Sequence, residues 1–145
     1  MRGFMRVYLG GPYQWKDRIS KCAEEARAAG IEITSGWLDE PHKPDTQLAD
    51  LSEETHELYA NRDLEDIDRA DVFVLFAVPA TDTPIPRAGR HVEFGYALHA
   101  QIPIYVVGNV KENIFHHLPG RVKHVENWDA ALEILINRAV EAMGL

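Results

Sequence analysis

Three side chains in this 145-residue chain combine reactive chemistry with placement: Glu93, Tyr8 and Asp63. Glu93 lies in Gly89-Arg90-His91-Val92-Glu93-Phe94-Gly95-Tyr96-Ala97-Leu98-His99, after a buried-strand pattern and a loop rich in Pro and Thr. Gly89 suits a helix start, and Val92, Ala97 and Leu98 give that helix a partly buried face. Glu93 then falls in or near the first turn, where unpaired N–H groups and the helix dipole favour an ionised carboxylate. Strand-to-helix junctions of α/β sheets are where such folds keep their ligand crevice; an ordinary solvated glutamate fits the same position. Tyr8, near the end of the first strand pattern, could bring its hydroxyl to that crevice and hydrogen-bond a carboxylate, or simply fill core. Asp63 sits one helical turn from Tyr59 and from Ile67, bordering the apolar stripe Ala60, Leu64 and Ile67. It can reach inward, or pair with Arg62 or Arg69. A steadied carboxylate with a second carboxyl at hand is equipment for nucleophilic and acid–base work.

The elements that must position these groups follow from periodicity. Met5 to Gly10 reads as a first strand running into Gly10-Gly11-Pro12, whose glycines permit close backbone approach to a ligand. It is neither a P-loop nor a dinucleotide fingerprint, since no Gly-Lys-Ser/Thr or GxGxxG follows. Trp15 to Ala29 is a helix with the stripe Ile19, Cys22, Ala23 and Ala26, closed by Gly30. Ile31 to Ser35 alternates as a second strand. The loop from Gly36 to Pro44 is long and aromatic, as functional loops often are; Trp37 in it suits base stacking or plain packing, and His42 is read as solvated. Ser52 caps a helix to about Arg69, on which Glu65 and Asp68 point away from the core.

Val72 to Ala77 is apolar on both faces, the mark of a strand covered by helices on each side. Ile102 to Val107 is a fourth buried strand and Val122 to Val125 a short fifth. Between them, Asn113 to Arg121 predicts a short helical turn. Its His116-His117 pair is a poor metal ligand set, because adjacent helical residues point about 100° apart; surface, interface or phosphate contact suits it better. Trp128 to Met143 closes the chain with an unbroken apolar stripe. Strands alternating with helices imply a parallel sheet with right-handed crossovers, so the predicted fold is a flavodoxin-like, doubly wound, five-stranded α/β sheet. Its strand ends gather Tyr8, Gly10, Trp37, the loop before Gly89, and Glu93 around one crevice.

Composition bounds the partners. The length fits a single domain, and 46% apolar with 26% charged residues is ordinary for a globular protein. No apolar run is long enough to span a bilayer, and no signal-peptide core is visible near Met1. The lone Cys22 rules out an internal disulfide and a cysteine zinc cage, and a reducing cytoplasm is the simplest expectation. A formal charge of −8 argues against long nucleic acid, leaving a small ligand as the partner.

Val7-Tyr8-Leu9-Gly10-Gly11-Pro12, the run Asn61-Arg62-Asp63-Leu64-Glu65-Asp66-Ile67-Asp68-Arg69-Ala70-Asp71, and Gly89 to Ala97 together resemble the nucleoside 2-deoxyribosyltransferase family, which includes nucleoside 5′-monophosphate N-glycosidases. The likeness runs in the same order over nearly the whole chain, and Glu93-Phe94-Gly95-Tyr96-Ala97 is its most specific part. It implies that Glu93 is a nucleophile, Tyr8 its orienting tyrosine and Asp63 an aspartate near the base. Gly10, Gly11, Trp37, Arg87, Gly89, Arg90, Asn113 and His116 are then the candidate substrate-binding residues. Asn113 matches, loosely, a residue that reaches a neighbouring subunit's site, so a homo-oligomer with shared sites is implied. The substrates implied are a nucleoside or nucleotide and a nucleobase, with neither metal nor organic cofactor required.

One departure matters. Where the free-nucleoside transferases carry a base-holding aspartate before the nucleophile, this chain has Arg87, which with Arg90 suits a phosphate. The serines that the monophosphate hydrolases place around that phosphate are absent from this loop. Transfer, hydrolysis of monophosphates, and nucleotide binding without turnover all remain open at the level of sequence, with transfer the first reading.

Overall fold

The computed structural model describes residues 4–41, 50–79 and 88–144. The apolar segments form β1 (Arg6–Gly10), β2 (Glu32–Ile33), β3 (Val72–Phe76), β4 (Ile104–Val107) and β5 (Val122–Val125). All four pairings are parallel, in the order β2-β1-β3-β4-β5. This is the doubly wound α/β sheet that the alternation of strands and helices predicts. Every residue of β3 is buried, as expected of a central strand covered on both faces. The register sets Gly10 beside Leu75, and Leu75 beside Val106, so the carboxyl ends of three strands form one level rim.

The helices are α1 (Lys16–Ala28), α2 (Glu53–Asp68), α3 (Gly89–His99) and α4 (Trp128–Ala142). Right-handed crossovers put α1 on one face of the sheet and α2 and α3 on the other. Tyr96 Oη donates to Asp68 Oδ1 at 2.7 Å, joining α3 to α2, and Trp128 Nε1 donates to Glu25 Oε2 at 2.6 Å, joining α4 to α1. Caps are local and legible: Ser52 Oγ accepts from Thr55 N, and Asn127 Oδ1 accepts from Ala130 N. In α2 the buried residues are Asp66 and Ile67, while Ala60, expected on the inward stripe, is exposed. Among the described residues no helix is long and apolar enough to cross a membrane.

The second strand is shorter than its alternating pattern predicts. Only Glu32 and Ile33 pair with β1. After a last backbone bond from Thr34 N to Val7 O, side chains replace the ladder: Leu9 N donates to Ser35 Oγ at 2.6 Å, and Trp37 Nε1 donates to Leu9 O at 2.8 Å. The chain is thereby released into the 3₁₀ turn Gly36–Asp39 over the carboxyl end of β1. Gly11 allows the turn after β1 to pack closely, since a Cβ there would lie 2.6 Å from Ile19 Cδ1 and 3.2 Å from Phe76 Cβ.

Candidate active site

The carboxyl end of β1, the inner face of α2 and the second turn of α3 converge on one pair of carboxyl groups. Tyr8 is fully buried, its ring stacked on Phe73 with centroids 5.4 Å apart, and its hydroxyl donates to Glu93 Oε2 at 2.6 Å. The Asp63 carboxyl, carried by α2, lies close enough to Glu93 to act on its ionisation. Asp63 Oδ1 also accepts from Arg62 Nη2 at 2.9 Å, and the same nitrogen donates to Glu40 Oε1 at 2.6 Å. Tyr13 Oη and Lys16 Nζ complete this edge through Glu40, donating to its Oε2 and its carbonyl oxygen respectively. The Arg62 guanidinium lies over the Tyr59 ring, 4.7 Å from its centroid.

Gly10 shapes the space in front of Glu93. A Cβ at Gly10 would stand 3.5 Å from Glu93 Oε1 and 3.2 Å from Phe73 Cζ. Tyr8 thus holds one carboxyl oxygen of Glu93 while the backbone of Gly10 leaves room before the other.

The electrostatics correct one expectation. Gly89 is the first residue of α3 and Glu93 the fifth, so no acidic residue stands in the first turn. The dipole effect fades beyond that turn, and other terms govern Glu93. The residue keeps a partial opening to solvent, yet burial of its carboxyl and the nearby charge of Asp63 raise its pKa to about 8. The hydrogen bond from Tyr8 and the charge of Arg62 oppose that rise and do not cancel it. Burial lifts Asp63 as well, against the pull of Arg62. Two carboxyls in contact cannot both ionise cheaply, so the pair holds one proton near neutrality. Burial, with Glu93 and Asp63 beside it, keeps the Tyr8 phenol protonated.

The remaining candidates fare differently. Gly10 and Gly11 lie at the mouth of β1. Trp37 is 6% exposed, with its indole N–H committed to Leu9, so the packing role is the one observed. Arg87 lies outside the described residues, as does His42. Gly89 is exposed, and a side chain there would meet nothing. Arg90 Nη2 is 2.6 Å from Glu112 Oε1, both side chains being 10% exposed, so this arginine is engaged by an acid inside the chain. Asn113 Oδ1 accepts from Phe115 N and caps the turn Ile114–His117.

His116 contradicts its sequence reading. It is 1% exposed, with its ring 4.8 Å from that of Phe94, and so stands apart from any surface. Burial holds its pKa below the ordinary imidazole value, and the same is true of His91. Sequence reasoning missed Glu40, Asp66, His91 and Glu112. Asp66 is 4% exposed and accepts from Gly36 N at 2.9 Å, pinning α2 to the turn after β2. A cavity of about 550 Å³ at the amino ends of β4 and β5, lined by Tyr105, Arg121, Lys123 and Arg138, contains none of the Glu93 constellation.

Comparison with known proteins adds to this geometry. The family model described as nucleoside 2-deoxyribosyltransferase matches residues 7–142. No curated protein matches by sequence. Among solved structures, a 2-deoxyribosyltransferase of Bacillus psychrosaccharolyticus is 20% identical with a TM-score of 0.65, covering 88% of this chain and 90% of that one. A CMP N-glycosidase of Clostridium botulinum is 20% identical with a TM-score of 0.57, covering 90% of this chain and 97% of that one. A conserved protein of Enterococcus faecalis V583, 14% identical with a TM-score of 0.63, covers 93% and 99%. At these identities the structural likeness speaks for the fold.

Proposed function

The chain belongs to the nucleoside 2-deoxyribosyltransferase family, and from that premise we propose that it is an enzyme that cleaves the N-glycosidic bond of a (deoxy)nucleoside and transfers the sugar to another base. One observation carries the reading: a buried tyrosine hydroxyl 2.6 Å from Glu93 Oε2, with the Asp63 carboxyl near enough to raise the pKa of the same glutamate. Breaking a sugar–base bond builds positive charge at C1′, which a carboxylate beneath the ring can capture. Glu93 attacks C1′ as the bond to the base nitrogen breaks, and the electron pair leaves with the base. The proton shared by the carboxyl pair passes through Asp63 to that nitrogen. An incoming base then attacks C1′, releases Glu93 and returns its own N–H proton to Asp63. Water in the same role would give hydrolysis. Gly10 leaves the approach to Glu93 Oε1 open, and Tyr8 fixes the rotamer.

The engagement of Arg90 by Glu112 favours a free nucleoside over a 5′-monophosphate. Incubating the protein with deoxynucleosides and their 5′-monophosphates, with and without a second free base, tests this directly. Exchange between bases on free deoxynucleosides is the expected result. Reaction of monophosphates alone, with no exchange, would establish the N-glycosidase instead, and Arg87→Ala would then erase that preference. No release from any substrate would leave a nucleotide-binding module.

Tyr8→Phe is expected to lower kcat about ten- to a hundredfold, the value of one hydrogen bond to a charged group, with little change in KM. A loss as complete as removal of Glu93 would mean that Tyr8 does more than orient.

We also propose a homo-oligomer that completes the site. Val92 on α3 and Ile114 and Phe115 on the following turn are exposed by 66%, 76% and 54%. Asn113 Nδ2, 3.4 Å from His91 Nδ1, ties the two segments into one edge. Buried His116 drops out of that edge. Light scattering at assay concentration should give a mass of at least two chains; a fully active monomer would refute the idea.

A further inference from the structure

Behind that edge three side chains from separate segments meet without an assigned task. His91 belongs to α3, Glu112 to the loop after β4, and His116 to the turn Ile114–His117. One ligand atom from each lies within 4.8 Å of the other two. Among the described residues, Glu112 Oε2 and His116 Nε2 are both buried with no hydrogen-bond partner. Such groups are rare in folded proteins, because a buried polar atom left unmatched costs stability. The other polar atoms of the cluster are occupied: His116 Nδ1 accepts from Glu112 N at 3.3 Å, and Glu112 Oε1 takes the Arg90 guanidinium. The unsatisfied atoms are therefore those a ligand could use.

We propose that His91, Glu112 and His116 bind one divalent transition-metal ion of the zinc class. Two imidazoles and a carboxylate are a donor set suited to Zn²⁺, Co²⁺ or Ni²⁺, with water able to supply a fourth ligand. Mg²⁺ and Ca²⁺ prefer oxygen donors throughout and should be rejected. Metal–nitrogen and metal–oxygen bonds of about 2 Å put paired ligands within about 4 Å of each other, so modest side-chain rotation closes the set. Arg90 holds the far oxygen of Glu112 and orients the carboxylate, but its charge opposes a cation. Affinity should accordingly be weaker than that of an all-cysteine structural site. An ion here would brace the start of α3, two residues before Glu93, against the turn that carries Ile114 and Phe115. The site lies outside the Tyr8–Glu93–Asp63 constellation, so it stands whether or not base exchange is observed.

Calorimetric titration of the chelator-treated full chain with Zn²⁺, and separately with Mg²⁺, provides the test. One equivalent of Zn²⁺ should bind, raising the Tm, and Mg²⁺ should not compete. The complex with Co²⁺ should show the intense visible bands of four-coordinate geometry. His91→Ala, at a partly exposed position tolerant of truncation, should lower Zn²⁺ affinity at least about a hundredfold. His117→Ala, at the exposed neighbour, should leave it unchanged. Absence of Zn²⁺ uptake by the wild type, equal affinity in His91→Ala, or loss of binding in His117→Ala would each overturn the proposal.

Discussion

Glu93→Ala is expected to abolish base release and base exchange, with a loss of roughly 10⁴-fold or more, while the chain still folds. The rate term follows from the role: without a carboxylate beneath C1′, neither capture nor charge stabilisation remains. The stability term is a balance. Truncation leaves the buried Tyr8 hydroxyl without its acceptor, a cost of about 1–3 kcal/mol, but it also removes a carboxyl that crowds Asp63. Glu93→Gln separates the two, since an amide oxygen still accepts from Tyr8 and carries no charge. The wild-type carboxyl is held at about 8 against an ordinary 4.5, so the folded state retains a proton that the unfolded chain has released. Its contribution to stability is therefore full below pH 4.5 and is lost as the pH rises through 8. Thermal melts of Glu93→Gln should lack that decline. A variant with near-wild-type turnover would remove Glu93 from the mechanism.

Asp63→Asn should lower kcat/KM by about a hundred- to ten-thousandfold, the usual worth of a positioned general acid. It should also change the pH profile. The proposed mechanism requires one proton on the pair for the leaving base, so wild-type kcat/KM should fall as the pH passes about 8. Removing the Asp63 charge lets Glu93 ionise at lower pH, and the alkaline limb near 8 should disappear. A deoxyribosyl substrate whose leaving group needs no proton distinguishes the roles: it should rescue Asp63→Asn and leave Glu93→Ala inactive. An unmoved limb, or no rescue, would mean that Asp63 holds the base without supplying the proton.

Much of this was legible in the sequence because local patterns determine it. The order of the strands, the first turns of the α4 stripe and the inward reach of Asp63 follow from periods of two or 3.6 residues, and Ser52 from its capping hydroxyl. Val140 and Met143, at the end of that stripe, are exposed. The pairing of Arg62 with Asp63, anticipated as the plain alternative to a catalytic role, coexists here with the influence of Asp63 on the ionisation of Glu93. What local pattern does not carry is how segments meet. Glu40 lies 22 residues from Arg62, and Arg90 lies 22 from Glu112. The raised pKa of Glu93 arises from burial against α2, and no reading of α3 alone could have supplied it. His116 misled for a related reason. Its neighbour His117 is exposed, whereas the partners that matter for His116 come from Glu112, His91 and Phe94.

The replacement of ladder bonds by Ser35 and Trp37 has an evolutionary consequence. Two side chains occupy both backbone polar groups of Leu9, so β1 is closed at that point without a further residue of β2. Changes of length beyond Glu40, which Tyr13, Lys16 and Arg62 hold, would then leave the sheet edge paired, whereas loss of Ser35 or Trp37 would strip Leu9 of a partner. Descendants of such a chain would therefore diversify fastest beside the carboxyl-end rim of the sheet and slowest one strand inward. New substrate preferences could then arise by changing loop length, with the Tyr8–Glu93 pair inherited intact.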